Sequence, residues 1–150
     1  MGEEDYLHSQ LVNQLNMEYT LARIYKKKAE READKDVKLF YRKISDDCVS
    51  HMALLKSAIR AIGGEAPNPV MLKIREYDPS TTEIDEILIN EIDLELEEME
   101  ASAARYFSLL TDKFPDRRYS ILFNAMRDEE LLHQRMLRAI REYKRRKSRG

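Results

Sequence analysis

The sequence predicts an all-α protein: an antiparallel four-helix bundle of two helical hairpins joined by a long crossover connection. Three observations predict it. Apolar residues recur every three or four positions through four long stretches, the spacing of one helical face. The 150 residues include four Gly, four Pro and no Trp beside 36% charged residues rich in Glu, Lys and Arg, a composition that suits long amphipathic helices. Three of the four prolines, at 67, 69 and 79, fall in one stretch that divides the chain into two halves of similar design. A chain of this length can bury a core of its own, so residues 1–150 read as a single domain.

The first helix is expected over about residues 4–32, where Leu11, Leu15, Ala22, Tyr25 and Ala29 share a face and Glu18 takes a place in the same stripe. The break at Ala33 to Asp36 is short, so the second helix, about 36–62, returns antiparallel. Its stripe is Val37, Tyr41, Ile44, Cys48, His51, Leu55, Ala58 and Ile62, and Gly63-Gly64 stops it. Residues 65–82 form the connection, with a short helical turn expected around Val70 to Arg75. The third helix, about 82–112, is expected to open with Ser80, Thr81 and Thr82 as caps and Glu83 in its first turn. It presents Ile84, Leu88, Ile92, Met99, Ala103, Tyr106 and Leu110, with Glu95 inside the stripe. After a turn at Lys113 to Asp116, the fourth helix, about 117–146, shows Leu122, Met126, His133, Leu137 and Ile140, and Glu130 completes the spacing. Apolar residues expected to face outward, among them Leu7, Ile24, Leu54 and Phe107, point to a homo-oligomer, most simply a dimer.

The chemistry-bearing residues gather at one depth. Of three histidines, His51 and His133 fall at matching positions in the second helix of each hairpin, and His8 is the outlier. Glu130 precedes His133 by three residues, which puts a carboxylate and an imidazole on one helical face. Glu18 supplies a carboxylate at that depth in the first helix, and Glu95 or Glu98 would do so in the third, while Glu91, Glu97 and Glu100 read as a solvated face. Buried carboxylates facing imidazoles need a proton, a counter-charge or a cation, and a divalent metal supplies the last. Oxygen and imidazole ligands suit iron or manganese, with zinc as a further option. The lone Cys48 excludes an intramolecular disulfide and any zinc site built on paired cysteines.

Two segments, ISDDCVSHMALLKSAIRAIGGEAPNP and NAMRDEELLHQRMLRAI, resemble the Glu-x-x-His helices of the ferritin-like superfamily of rubrerythrins, bacterioferritins and related di-iron carboxylate proteins. The resemblance implies a terminal Glu from the first helix of each hairpin, a bridging Glu and a His from the second, and often a tyrosine seven residues after the first-helix Glu. Glu18 and Tyr25 match that spacing, as do Glu130 and His133. Two places depart from it. Cys48, with Asp47 beside it, stands three residues before His51, and Met99 stands seven before Tyr106. The candidate metal ligands are therefore Glu18, Asp47, His51, Glu95, Glu98, Glu130 and His133.

The function this implies is metal binding, with oxygen or peroxide reduction or ferrous iron oxidation at a mid-bundle site and electrons from an external donor, since the chain carries no second redox centre. Loss of the site would leave a metal-free structural or interaction bundle. A cobalamin adenosyltransferase-like enzyme shares the bundle shape, but its Gly- and Thr-rich nucleotide segment is missing. A net charge of −2 gives no field for nucleic acid, although the basic run from Lys144 to Arg149 closes the last helix. Neither a leader nor an 18-residue apolar run is visible, so the expected location is cytoplasmic, away from membranes.

Overall fold

The computed structural model describes residues 2–74 and 92–149, apart from the side chains of Glu3 and Glu4. Four helices make up the fold: α1 (Glu3–Arg31), α2 (Lys35–Ala61), α3 (Asp93–Lys113) and α4 (Arg117–Arg149). The all-α class and the pairing into hairpins are as the periodicity predicts, with α1 packed on α2 and α3 on α4. Expectations at Arg75, at the caps Ser80 to Thr82 and over Glu83 to Glu91 lie outside the described residues. The chain divides into two compact units, Met1–Asp85 and Glu86–Gly150, one hairpin in each.

In the first unit, Leu11, Leu15, Leu21, Tyr25 and Ala29 of α1 are buried, as are Val37, Tyr41, Ile44, Leu55 and Ile59 of α2. The Tyr25 and Tyr41 rings stack with centroids 6.4 Å apart. Close approach of the helices is set by small residues, because the Ser45 hydroxyl donates to the Ala22 carbonyl oxygen at 2.8 Å. Asp34 caps α2: its Oδ1 accepts from the backbone N–H of Asp36 at 3.0 Å and of Val37 at 3.1 Å, donors that the first turn cannot satisfy internally. At the other end Gly63 N–H donates to the Arg60 carbonyl and Gly64 N–H to the Ile59 carbonyl, the paired bonds of a Schellman stop. Gly63 has φ +86°, a left-handed conformation that a Cβ opposes. Gly63→Ala is expected to destabilise the protein by about 1 kcal/mol, seen as a fall of a few degrees in the circular-dichroism melt.

Beyond Gly64, whose missing Cβ would collide with the His8 ring, the chain runs back along α1. Val70 N–H donates to Asn16 Oδ1 at 3.0 Å and Leu72 N–H to Thr20 Oγ1 at 2.9 Å. The helical turn expected around Val70 does not form across residues 70–74, because α1 side chains take the backbone donors that such a turn would use.

The second unit buries Leu96, Ala103, Ala104, Phe107 and Leu110 of α3, and Phe123, Met126, Leu137 and Ile140 of α4. Its centre is aromatic. Phe107 and Phe123 stack at 6.1 Å, and Phe114 meets Phe123 edge-on at 5.2 Å. Asp116 opens α4 by accepting from the backbone N–H of Arg118 at 2.9 Å. The Arg118 guanidinium and that N–H hold the Asp116 carboxyl below the usual carboxylate range. Glu97 is buried and holds α3 to α4 through Arg138, at 3.0 Å, and Arg141.

Several expected faces are corrected here. Phe107 and Ile24 point inward, whereas Leu122 is exposed and Phe123 takes its place. Met99 and Tyr106 are half-buried rather than central. In both α3 and α4 the buried stripe lies one residue later than expected at these positions, a rotation of about 100°. A phenylalanine buries its whole ring without a hydroxyl to satisfy, which favours Phe107 over Tyr106 at the core. The exposed large apolar residues include Leu39, Phe40 and Val49 on α2, Leu94 and Leu109 on α3, and Ile121, Leu131 and Leu132 on α4. No helix among the described residues is long and apolar enough to cross a membrane.

Candidate functional site

Each hairpin carries the same constellation. In the first, His51 Nδ1 lies 3.3 Å from Glu18 Oε1, both fully enclosed. In the second, His133 Nδ1 lies 3.3 Å from Glu100 Oε2, equally enclosed. The two pairs share a register: adding 82 to a residue number in the first hairpin gives its counterpart in the second. Glu18 corresponds to Glu100, His51 to His133, Tyr25 to Phe107, Tyr41 to Phe123 and the capping Asp34 to Asp116. Cys48 corresponds to Glu130, each one helical turn before its histidine and each fully buried. The constellation within each hairpin is thus a buried carboxylate–imidazole pair, Glu18 with His51 and Glu100 with His133.

The remaining candidates fall elsewhere. Asp47, beside Cys48 in sequence, is rotated off that face and forms an ion pair with Lys43 one turn earlier. Glu98 is exposed and Glu95 half-buried, and the carboxylate that reaches His133 is Glu100, a position expected on a solvated face. Glu97, assigned to the same face, is buried against two arginines. Glu91 lies outside the described residues. The missed signal was the turn: Glu18 and Glu100 both stand 16 residues before a capping aspartate, and His51 and His133 both stand 17 after it. With that register Met99 replaces no ligand, because the acid seven residues before the inward aromatic is Glu100.

The donors suit a cation. A neutral or charged imidazole bonded to a carboxylate usually sits closer than 3.0 Å, so the two 3.3 Å separations are long for hydrogen bonds. They match the edge between two ligands of one ion: donors about 2.1 Å from a metal and about 100° apart are about 3.3 Å from each other. Glu18 Oε2 adds a second indication. It is buried with no hydrogen-bond partner among the described residues, while Oε1 accepts only from Gln14 Nε2 at 3.5 Å besides facing His51. A carboxylate oxygen held from water without a donor is costly unless a proton or a cation meets it.

No family model, curated protein or solved structure matches the chain.

Proposed function

We propose that this chain is a ferritin-like metal-binding protein whose buried carboxylate–imidazole pairs hold divalent ions. The observation that carries the reading is the repetition, in each hairpin, of one buried carboxylate–imidazole pair with the same separation and the same register. Glu18 and His51 would supply ligands in the first hairpin, and Glu100 and His133 in the second. Oxygen and imidazole donors favour iron or manganese, with zinc a redox-silent occupant. Iron or manganese would supply one-electron chemistry, and oxygen or peroxide reduction or ferrous iron oxidation then follows with an external electron donor. The protein's own part is to keep water from these pairs and to fix imidazole and carboxylate before the ion arrives, which the full burial of both pairs supports. A homo-oligomer belongs to the same proposal, through exposed apolar residues such as Ile121 and Leu132.

One observation favours a second reading. The imidazoles and carboxylates are within hydrogen-bonding reach of each other, so a metal-free protein could use them as polar pairs that set helix register. Metal content decides between the two. Protein purified without affinity-tag nickel, offered ferrous iron or zinc anaerobically and measured by plasma mass spectrometry, is expected to carry about two ions per chain. The loaded form is expected to melt about 5 °C or more above the chelated one, since an ion that binds only the native state stabilises it. No metal and no melting shift would leave the metal-free reading, and replacement of Glu18, His51, Glu130 and His133 by apolar residues should then raise stability.

A further inference from the structure

The face of α4 turned away from its own hairpin has a two-fold pattern. α4 buries Phe123, Met126, Leu137 and Ile140. About 130° around the helix from that stripe lie Ile121, Ala125, Leu132, Ala139 and Tyr143. All five are exposed, the large ones substantially: Ile121 by 64%, Leu132 by 41% and Tyr143 by 45%. Their intervals of four, seven, seven and four residues read the same from either end, with Leu132 at the centre. Asp128 and Arg135 lie four before and three after that centre and carry opposite charges. We propose that a second copy of this chain docks on this face with the two α4 helices antiparallel, about a two-fold axis beside Leu132; the inference rests on the homo-oligomer reading above.

A two-fold axis sets each residue opposite the one equally far on the other side of the centre. Ala125 then meets the copy's Ala139 at two places, and side chains this small let the helices approach closely. Ile121 meets the copy's Tyr143, and Leu132 meets its own counterpart at the axis. Antiparallel pairing also keeps each edge of the helix against the same edge of the copy. Asp128, Leu131 and Arg135 share one edge, so Leu131 meets its counterpart between two Asp128–Arg135 ion pairs. A parallel pair would instead set Asp128 against Asp128 and Arg135 against Arg135, so the charges choose the orientation. Asp128 is 64% exposed and bonds Arg127 through Oδ1 at 3.1 Å; a carboxylate can accept from a second guanidinium as well. The basic ends of the face carry their own counter-charges, since Arg118 bonds Asp116 at 2.7 Å and Arg146 bonds Glu142 at 2.7 Å.

Sedimentation equilibrium of the full-length protein over a range of concentrations is expected to show a dimer. Asp128→Arg and Arg135→Asp should each weaken it about tenfold or more, because each sets like charges opposite one another. The variant carrying both changes should recover the wild-type affinity. Both positions are exposed, so circular-dichroism melts of the three variants should match wild type. Cysteine cross-linking reads the orientation. Leu132→Cys puts two thiols beside the axis, within reach of a disulfide, whereas Ile121→Cys leaves them twenty-two residues apart along the helices, about 33 Å. Under mild oxidation Leu132→Cys should give a covalent dimer and Ile121→Cys should not. A dimer that tolerates both charge reversals, or that cross-links through Ile121→Cys and not Leu132→Cys, overturns this interface and leaves the homo-oligomer reading standing. A monomer at every concentration overturns both.

Discussion

Replacing Glu100 with alanine is expected to cost the second hairpin its ion, taking metal content from about two per chain to about one, while Glu98→Ala and Glu95→Ala leave it unchanged. Glu100 is fully buried with Oε2 3.3 Å from His133 Nδ1, whereas Glu98 is exposed and Glu95 half-buried. Loss of the carboxylate paired with His133 removes the charged donor of that pair, so affinity at that site should fall at least a hundredfold. Stability should move the other way in chelated protein. Glu100→Gln keeps the shape and removes the buried charge with its desolvation cost, so metal-free Glu100→Gln is expected to melt no lower than metal-free wild type. The pattern separates a ligand from a structural acid: a structural Glu100 would lower the melt and spare the metal. Metal loss in Glu98→Ala with full loading of Glu100→Ala would overturn the register that pairs Glu100 with His133.

The fold was legible because helical periodicity survives local irregularity. The first hairpin reads well residue by residue: Val37, Tyr41, Ile44, Cys48, His51, Leu55 and Ala58 are all buried as their spacing predicts. Its acid is legible too, since Glu18 sits in an otherwise apolar stripe with no second acid nearby to compete. α3 is harder. Between Asp93 and Glu100 it carries an acid at 93, 95, 97, 98 and 100, so every face has a carboxylate and spacing alone does not choose among them. The aromatic marker misled as well. Tyr106 and Phe107 are adjacent, and the first hairpin's Tyr25 suggests tyrosine, but packing selects the ring that can be buried without a hydroxyl. What the sequence does hold is the pair of capping aspartates. Measuring from Asp34 and Asp116 places Glu18 with Glu100 and Cys48 with Glu130 without any side-chain geometry. Asp47 failed for a different reason: a neighbour of Cys48 in sequence is turned about 100° away on a helix, where Lys43 meets it instead.

The second hairpin's stability should depend most on the phenylalanines that follow this register. Phe123 is fully buried, stacked on Phe107 at 6.1 Å and met edge-on by Phe114 at 5.2 Å, with Tyr119 6.4 Å away. Phe123→Ala removes the ring common to all three contacts. Transfer of the lost surface and the cavity left among the remaining rings together cost about 3–5 kcal/mol, which for a chain of this size lowers the melting temperature by roughly 10 °C. Phe123→Leu keeps most of the volume and is expected to cost under about 1.5 kcal/mol. The equivalent change at Tyr41 should hurt less than at Phe123, because the Lys28 ammonium, 5.3 Å from the Tyr41 ring centre, brings a polar partner that can follow water. Circular-dichroism melts of the two alanine variants test this ordering. Equal losses would mean that overall burial rather than ring packing sets the cost. A Phe123→Ala protein that melts within about 1 kcal/mol of wild type would show that the aromatic cluster does not anchor α3 to α4, leaving Glu97 with its two arginines as the stronger tie.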